Sequence, residues 1–294
     1  MSSGANIVTC GYPVTQALFK VTTPNGTLPY TSYTDNNISY WVYTFTDTSI
    51  QYTLNFSNLN TDITFNCLAV GGGGGGAYGG GGAGGMLEQT YTVSSADTSS
   101  QKIYIMVGAG SASYSCVKGG DTTIGTTISA TGGGFGSYNS CPDGGSGGSG
   151  GGGDPGEGDG VAGYSGGLAQ PTDQGFDGGS GGAGGSSSGG YGGGGGGGGA
   201  NGYGGPGLYN DNDANPPLGG AGGAGKQPNL DGIPNTTVVD GVETPIYYAI
   251  GGSGYDSTQV SPVANSGNGG SWYTYGSSGI VIIAIPTNAA GPGG

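Results

Sequence analysis

The sequence predicts an all-β sandwich carrying an inserted polyglycine-II helix bundle, with almost no α-helix. Three observations lead there. Of 77 glycines in 294 residues, only Gly4, Gly11 and Gly26 precede residue 71. The others come in blocks, such as residues 71–76, 79–82 and 192–199, that alternate with strand-like segments. The chain then closes on an unbroken apolar run, Ile280, Val281, Ile282, Ile283, Ala284 and Ile285.

Glycine blocks of this length hold no side-chain core. Such a composition without a strict three-residue period ordinarily means low complexity or a flexible linker. The repeated alternation with strand segments argues against a linker. Order in glycine is costly, because fixing each backbone costs roughly 1–2 kcal/mol and glycine loses more than other residues. Each hydrogen bond returns only about 0.5–1.5 kcal/mol. Ordered polyglycine therefore requires nearly every N–H and C=O to find a partner. Packed three-residue-per-turn helices of polyproline-II type satisfy this, since their amides project outward in three directions. Weak Cα–H···O contacts add to it. Collagen uses the same helix, but no G-X-Y period runs through this chain.

Taken in order, residues 1–38 read as an N-terminal extension or attachment segment of short strands and loops. Residues 39–286 read as the glycine-rich sandwich domain, and residues 287–294 as a tail. Tyr40, Val42, Phe45, Tyr52, Leu54, Phe56, Ile63, Phe65, Cys67 and Ala69 mostly recur two apart. That period predicts strands at about 40–46, 51–57 and 62–70. Residues 86–109 predict a hairpin, and residues 122–131 one further strand. Residues 236–250 predict a second hairpin, also assigned to the sandwich. The run at 280–285 predicts a central strand buried on both faces, stopped by Pro286. The bundle is then built mainly from residues 71–85, 132–234 and 251–279. Its interruptions, Phe135, Tyr138, Pro155, Tyr164, Phe176, Tyr191, Tyr203 and Tyr209, are expected at the ends of glycine helices, where the chain turns.

Charge excludes several functions. There are 18 acidic residues, four lysines, no arginine and no histidine, for a net charge of −14. Nucleic-acid binding and attachment to anionic membranes both need basic clusters, so neither partner is expected. Histidine-based triads, haem ligation and zinc–histidine sites are ruled out. Cys10, Cys67, Cys116 and Cys141 show no CxxC spacing, which leaves two disulfides in any of three pairings or four free thiols. The first residues lack a basic or apolar signal pattern, so synthesis in a cytosol is expected. No apolar run approaches a membrane span.

No motif assigns a cofactor or a catalytic centre. Residues 220–227 approach a phosphate loop, but Gln227 replaces the Mg²⁺-ligating hydroxyl. Residues 251–256 begin a single calcium-roll repeat that has no second copy. Asp211, Asp213 and Asn215 resemble the start of an EF-hand loop, but Pro216 and Gly222 occupy the positions that need glycine and glutamate. Asp154, Glu157 and Asp159 suit a hard cation, against the plainer reading of a solvated acidic turn. Four N-x-Ser/Thr sequons, at Asn25, Asn37, Asn55 and Asn235, are near chance in this composition. Trp272, Tyr273 and Tyr275 interrupt the last glycine stretch, and Tyr203 and Tyr209 the main one. Exposed aromatics on rigid loops anchor partners or stack on sugars. Singly, each reads first as a cap on an open bundle end; gathered on one tip, they read as a binding site.

The strand at 63–70 running into six glycines, the further glycine blocks, and the closing Gly279-Ile-Val-Ile-Ile resemble the glycine-rich domain proteins of large DNA viruses and phages. They also resemble the glycine-rich region of anaplastic-lymphoma-kinase-type receptors, and less closely the distal adhesins of T-even-type tail fibres. The resemblance covers residues 40–286. It implies a jelly-roll-like sandwich beneath the polyglycine bundle. It also implies a virion structural protein on the particle exterior, as a minor capsid, spike or fibre component. In the adhesin version, the tip binds a host surface glycan or protein through Tyr203, Tyr209, Asp211, Asp213, Trp272, Tyr273 and Tyr275. Other virion proteins are the expected partners, and a homotrimer is the assembly that spikes and fibres favour. The alternatives are an extracellular or cell-surface structural protein and a polysaccharide-cleaving fibre enzyme.

Overall fold

The computed structural model describes residues 18–57, 59–96, 101–158, 160–185, 190, 192–208, 218–255, 262–288 and 291–292. Among these residues the fold is all-β, with no helix. The strands are β1 (Leu18–Thr23), β2 (Gly26–Thr27), β3 (Thr31–Asp35), β4 (Ile38–Phe45), β5 (Tyr52–Ser57), β6 (Ile63–Val70) and β7 (Met86–Val93). They continue as β8 (Gln101–Met106), β9 (Thr122–Ile124), β10 (Ile128–Ala130), β11 (Thr236–Val239), β12 (Val242–Pro245), β13 (Ile280–Pro286) and β14 (Gly291–Pro292).

Two sheets face each other. One runs β10-β9-β8-β5-β1-β14 with β2 added to β1, and the other runs β3-β4-β13-β6-β7. Strand alternation explains the space between them. Tyr52, Leu54 and Phe56 from β5, Ile63, Phe65 and Cys67 from β6, and Phe19 and Val21 from β1 point into one core. A second core lies on the other face of the second sheet. There Leu68, Val70, Ile280, Ile282 and Ala284 meet Ala83, Ile233, Tyr248 and Ala249 of the glycine-rich segments. Strand β13 is therefore central and covered on both faces, as its apolar run predicts.

Four expectations need correction. Residues 86–109 are not a hairpin: β7 pairs with β6 in one sheet, while β8 pairs with β5 and β9 in the other, so the chain crosses between the sheets there. Residues 18–38 are not an extension, because β1, β2, β3 and the start of β4 belong to the two sheets. The short strands expected there are present, but sparse apolar residues hid their place in the sheets: Phe19 and Val21 are core, while β3 is held by a two-residue turn. That turn, Asn36-Asn37, has φ of 49° and 64° and matches the hairpin twist. Residues 122–131 form two strands rather than one, broken at Gly125 with φ 59°. The hairpin at 236–250 is shorter, at β11 and β12, and stands outside the sandwich as its own two-stranded sheet. Its residues are all exposed, and its Asp240-Gly241 turn has φ of 51° and 79°.

The glycine segments leave the sandwich and return to it. Strands β6 and β7 are antiparallel neighbours with Val70 opposite Met86, so residues 71–85 form one out-and-back excursion. Strands β8 and β9 pair likewise and enclose a second excursion. Within these segments successive amides address different neighbours, and every third residue returns to the same one. The Gly80 and Ala83 N–H groups donate to Gly195 and Gly198. Those of Gly81 and Gly84 donate to Gly270 and Gly267, and those of Gly82 and Gly85 to Gly134 and Thr131. The run at 192–199 repeats the pattern. Gly192, Gly195 and Gly198 donate to Gly156, Gly153 and Gly150, while Gly193, Gly196 and Gly199 donate to Leu208, Gly205 and Gly202.

Buried polar side chains join the sandwich to this layer. Thr122 Oγ1 accepts from Gly108 N at 2.8 Å and donates to Val70 O at 2.8 Å. Gln174 Oε1 accepts from Thr131 N at 2.8 Å, and its amide donates to Ser129 O at 2.9 Å.

The spacing between glycine segments leaves no room for a side chain. A Cβ on Gly195 would overlap the carbonyl oxygen of Gly179, whereas one on Gly202 would meet its first atom, Ala224 N, at 3.2 Å. Overpacking ordinarily costs about 1–3 kcal/mol and more where backbone cannot move. Gly195→Val is expected to abolish the cooperative melt, and Gly195→Ala to lower Tm well beyond Gly202→Ala. Circular dichroism melts of the three variants check this. Equal melting of Gly195→Ala and Gly202→Ala would disprove the close packing.

Candidate functional site

Each glycine excursion has a far end where the chain must turn, and side chains reappear there. Tyr78 sits at the turn of the 71–85 excursion. Tyr114 lies between β8 and β9, Tyr138 beyond β10, Tyr255 beyond residues 251–254, and Trp272 and Tyr273 just before the return to β13. Backbone bonds hold the turns together. Tyr255 N donates to Tyr78 O at 2.7 Å, Tyr78 N to Ser137 O at 3.0 Å, and Trp272 N to Ser253 O at 3.0 Å. A disulfide, Cys116–Cys141, ties two of these turns with Cα atoms 6.2 Å apart. Closing this loop of 25 residues stabilises the fold by about 3 kcal/mol in the chain-entropy model. Cys67 is buried as a free thiol, and burial pushes it up to about 12.

The six aromatic rings close on themselves. Centroids lie 5.9 Å apart for Tyr78–Tyr138, 4.9 Å for Tyr138–Tyr114 and 4.8 Å for Tyr114–Tyr273. The circuit continues at 4.4 Å for Tyr273–Trp272, 4.6 Å for Trp272–Tyr255 and 6.1 Å for Tyr255–Tyr78. Such contacts contribute roughly 0.5–1.5 kcal/mol each beyond area burial. Two members are strained. Tyr114 has φ 54° and Tyr273 φ 63°, a region that bulky residues avoid. Each costs on the order of 1–3 kcal/mol, and such strain concentrates at functional sites.

Beside the ring lies a cavity of about 220 Å³ lined by Tyr78, Tyr255, Tyr273, Asp154, Pro155 and Glu157. A neighbouring hollow of about 280 Å³ shares Asp154, Pro155 and Glu157 and adds Asn139, Pro142, Val161 and Tyr164. Asp154 is only 5% exposed, while Glu157 stands at the surface. Burial, and then the Glu157 charge, push the Asp154 carboxyl up to about 7. Burial also raises Tyr78, helped by Tyr273, Asp154, Tyr138 and Glu157.

Of the residues singled out by sequence, Trp272 and Tyr273 belong to this tip. Tyr275 is adjacent, 67% exposed, and lines an open groove with Tyr273, Pro262 and Ala264. Tyr203 does not join them: it is 68% exposed and packs edge-on against Phe176 at 4.9 Å. Tyr209, Asp211, Asp213 and Tyr191 lie outside the described residues. The reading of Asp154 and Glu157 within a solvated acidic turn fails at Asp154, which is enclosed by the tip; Asp159 lies outside the described residues. Sequence reasoning named Tyr138 and Pro155 as turn residues but missed their convergence with Tyr78, Tyr114 and Tyr255. The available signal was a tyrosine closing one glycine run after another.

Elsewhere, Lys226 of the near-phosphate-loop pairs with Glu88 at 2.6 Å and bridges to Tyr248, which makes it a structural tie. Among the described residues no three His, Cys, Asp or Glu side chains are grouped to hold a metal ion. No helix among them is long and apolar enough to cross a membrane. Comparison with protein-family models, curated proteins and solved structures finds no match to this chain.

The Asp154 environment has a measurable consequence. Glu157, Tyr78, Tyr255 and Tyr273 face it from one cavity and Tyr164 from the other. The folded state holds its proton more tightly than the unfolded chain does, at about 7 against 3.8. Its contribution to stability is therefore full below 3.8 and is lost as pH rises through about 7. Relative to wild type, Asp154→Asn is expected to gain Tm progressively over that interval and to level off above it. Paired melts across the range check this, and a pH-independent difference would refute it.

Proposed function

We propose that this chain is an exterior virion component, a fibre or spike tip, that engages a host surface through its aromatic end. The observation that carries the reading is the closed ring of six aromatics, drawn from five separate turns, at the end of the glycine layer remote from the sandwich. Singly, such residues suit end caps. A strained, disulfide-tied cluster beside an acidic cavity suits recognition.

The finer architecture belongs to the same proposal. The sandwich is of jelly-roll type, supported by chain crossings between sheets at β4–β5, β5–β6 and β7–β8, and by insertion of β13 between β4 and β6. The glycine layer is a polyglycine-II bundle, supported by the three-residue recurrence of hydrogen-bond partners. At about 3.1 Å per residue, a six-residue limb such as 71–76 would hold the tip about 19 Å beyond the sandwich. The disulfide fits a particle surface, where oxidised cysteines persist. A chain with four lysines offers trypsin few sites, as an exposed component requires.

Immunogold labelling of intact particles is expected to mark fibre or spike tips. Particles carrying Tyr273→Ala with Tyr114→Ala are expected to adsorb to host cells about tenfold less, the scale of a single lost anchor. The purified variant should keep its cooperative melt. Label spread over the shell, no label, or undiminished adsorption would each overturn the attachment role.

A further inference from the structure

Asp154 presents a carboxyl group to which the described residues supply no partner. The residue is only 5% exposed, its carboxyl oxygens open onto the cavity rather than into packed protein, and no hydrogen bond to them is made among the described residues. The neighbouring acid, Glu157, adds a second negative charge. A buried carboxylate normally finds donors or a cation. The chain's cations are committed elsewhere or distant. Lys118 pairs with Asp121 at 2.6 Å and Lys226 with Glu88 at 2.6 Å. Lys20 and Lys102 lie opposite Asn55 on strands of the sandwich.

The cavity that Asp154 lines has a second property. Three of its six described lining residues are tyrosines, Tyr78, Tyr255 and Tyr273. Aromatic rings with a carboxylate nearby attract organic cations, because the ring quadrupole presents negative potential to the ammonium group. A hard metal ion fits less well. Calcium takes six to eight oxygens, whereas the described residues of this lining offer two carboxylates. The volume, about 220 Å³, is below that of a drug-sized pocket and suits a small head group or a side-chain end.

We infer that the tip cavity bounded by Tyr78, Tyr255, Tyr273, Asp154 and Glu157 binds an organic ammonium group. The ligand supplies the positive charge that the protein withholds, and the tyrosines exclude water around it. The inference rests on the tip being the recognition end. It gives the host-surface ligand a chemical class: a lysine-type primary ammonium or a quaternary ammonium.

Isothermal titration of the purified full chain tests it. The probes are choline, N-acetyl-lysine amide, 3,3-dimethylbutan-1-ol as the uncharged isostere of choline, and calcium chloride. One of the two ammonium probes is expected to bind at least about tenfold more tightly than the neutral isostere, and the tighter of them identifies the source. Asp154→Asn and Tyr255→Leu, each confirmed folded by melting, are expected to weaken that binding about tenfold. Tyr104→Ala, an exposed side chain on β8 of the sandwich, is expected to bind as wild type does. Equal binding of the isostere, binding of calcium alone, no binding of either ammonium, or full retention in folded Asp154→Asn would each overturn the cation site. These titrations need no particle, so their failure is distinct from failure of the adsorption experiment.

Discussion

The structure depends on one constraint: a layer almost without side chains must satisfy its backbone from its own backbone. Residues 80–85 illustrate it, with amides leading in turn to residues 195, 270, 134, 198, 267 and 131. Neither an α-helix nor a sheet ladder distributes bonds to three separate partners in rotation. The hydrogen bonds that offset the entropy cost of ordered glycine are thus also the bonds that fix every segment's position. Removing one segment would strip partners from several others, so the layer is cooperative in a way that a set of independent loops is not. The sandwich serves as its floor. Pairing of β6 with β7 and of β8 with β9 sets where limbs leave and return, and Thr122 and Gln174 satisfy amides at the join.

Rigidity of this kind explains how strain is tolerated at the tip. Tyr114 and Tyr273 hold backbone angles that tyrosine seldom adopts, and their ring centroids lie 4.8 Å apart. A flexible loop would relax both. Here the adjoining residues are committed: Gly276 N donates to Ser111 O, and Gly270 N donates to Gly74 O. The turns are short, and the disulfide between residues 116 and 141 adds a covalent limit. The rings are therefore preorganised, and a partner meeting them does not bear the cost of ordering them.

Much of the fold was legible in the sequence, because alternation and apolar runs are local signals. The run from Ile280 to Ile285 identified a strand covered on both faces, and the alternation from Tyr52 to Phe56 identified a half-buried one. Local signals do not say which layer a strand joins. Val238, Val239 and Val242 read as sandwich residues, yet they sit in an exposed hairpin. Residues 18–38 show the converse, since two buried side chains in β1, Phe19 and Val21, suffice to seat that strand. The tip shows the same divide. That aromatics would mark turns was readable for Tyr138, whereas Phe135, Tyr164 and Phe176, expected at turns, lie within hydrogen-bonded segments. That Tyr78, Tyr138 and Tyr255 would meet, while Tyr203 would pair with Phe176 instead, depends on how limbs are ordered in the layer. Glycine runs carry no pattern that encodes that order. The setting of Asp154 was hidden for the same reason, because the cavity it lines is shared with residues 78, 255 and 273, far away in sequence.

The location of the chemistry follows from this architecture. Where two glycine segments bond to each other, a Cβ would strike a neighbouring carbonyl, so no functional side chain fits between them. Side chains return where the excursions turn and where they rejoin the sandwich. At the sandwich end they are consumed in the join: Thr122, Gln174 and Asn268 are buried with partners. At the far end the aromatic side chains that gather pack on one another. An acid without a partner among the described residues, set beside tyrosines, is less favourable for stability alone than a hydrophobic replacement. Its presence at the place where the scaffold releases its side chains is the observation on which the proposal of that end as a working surface rests.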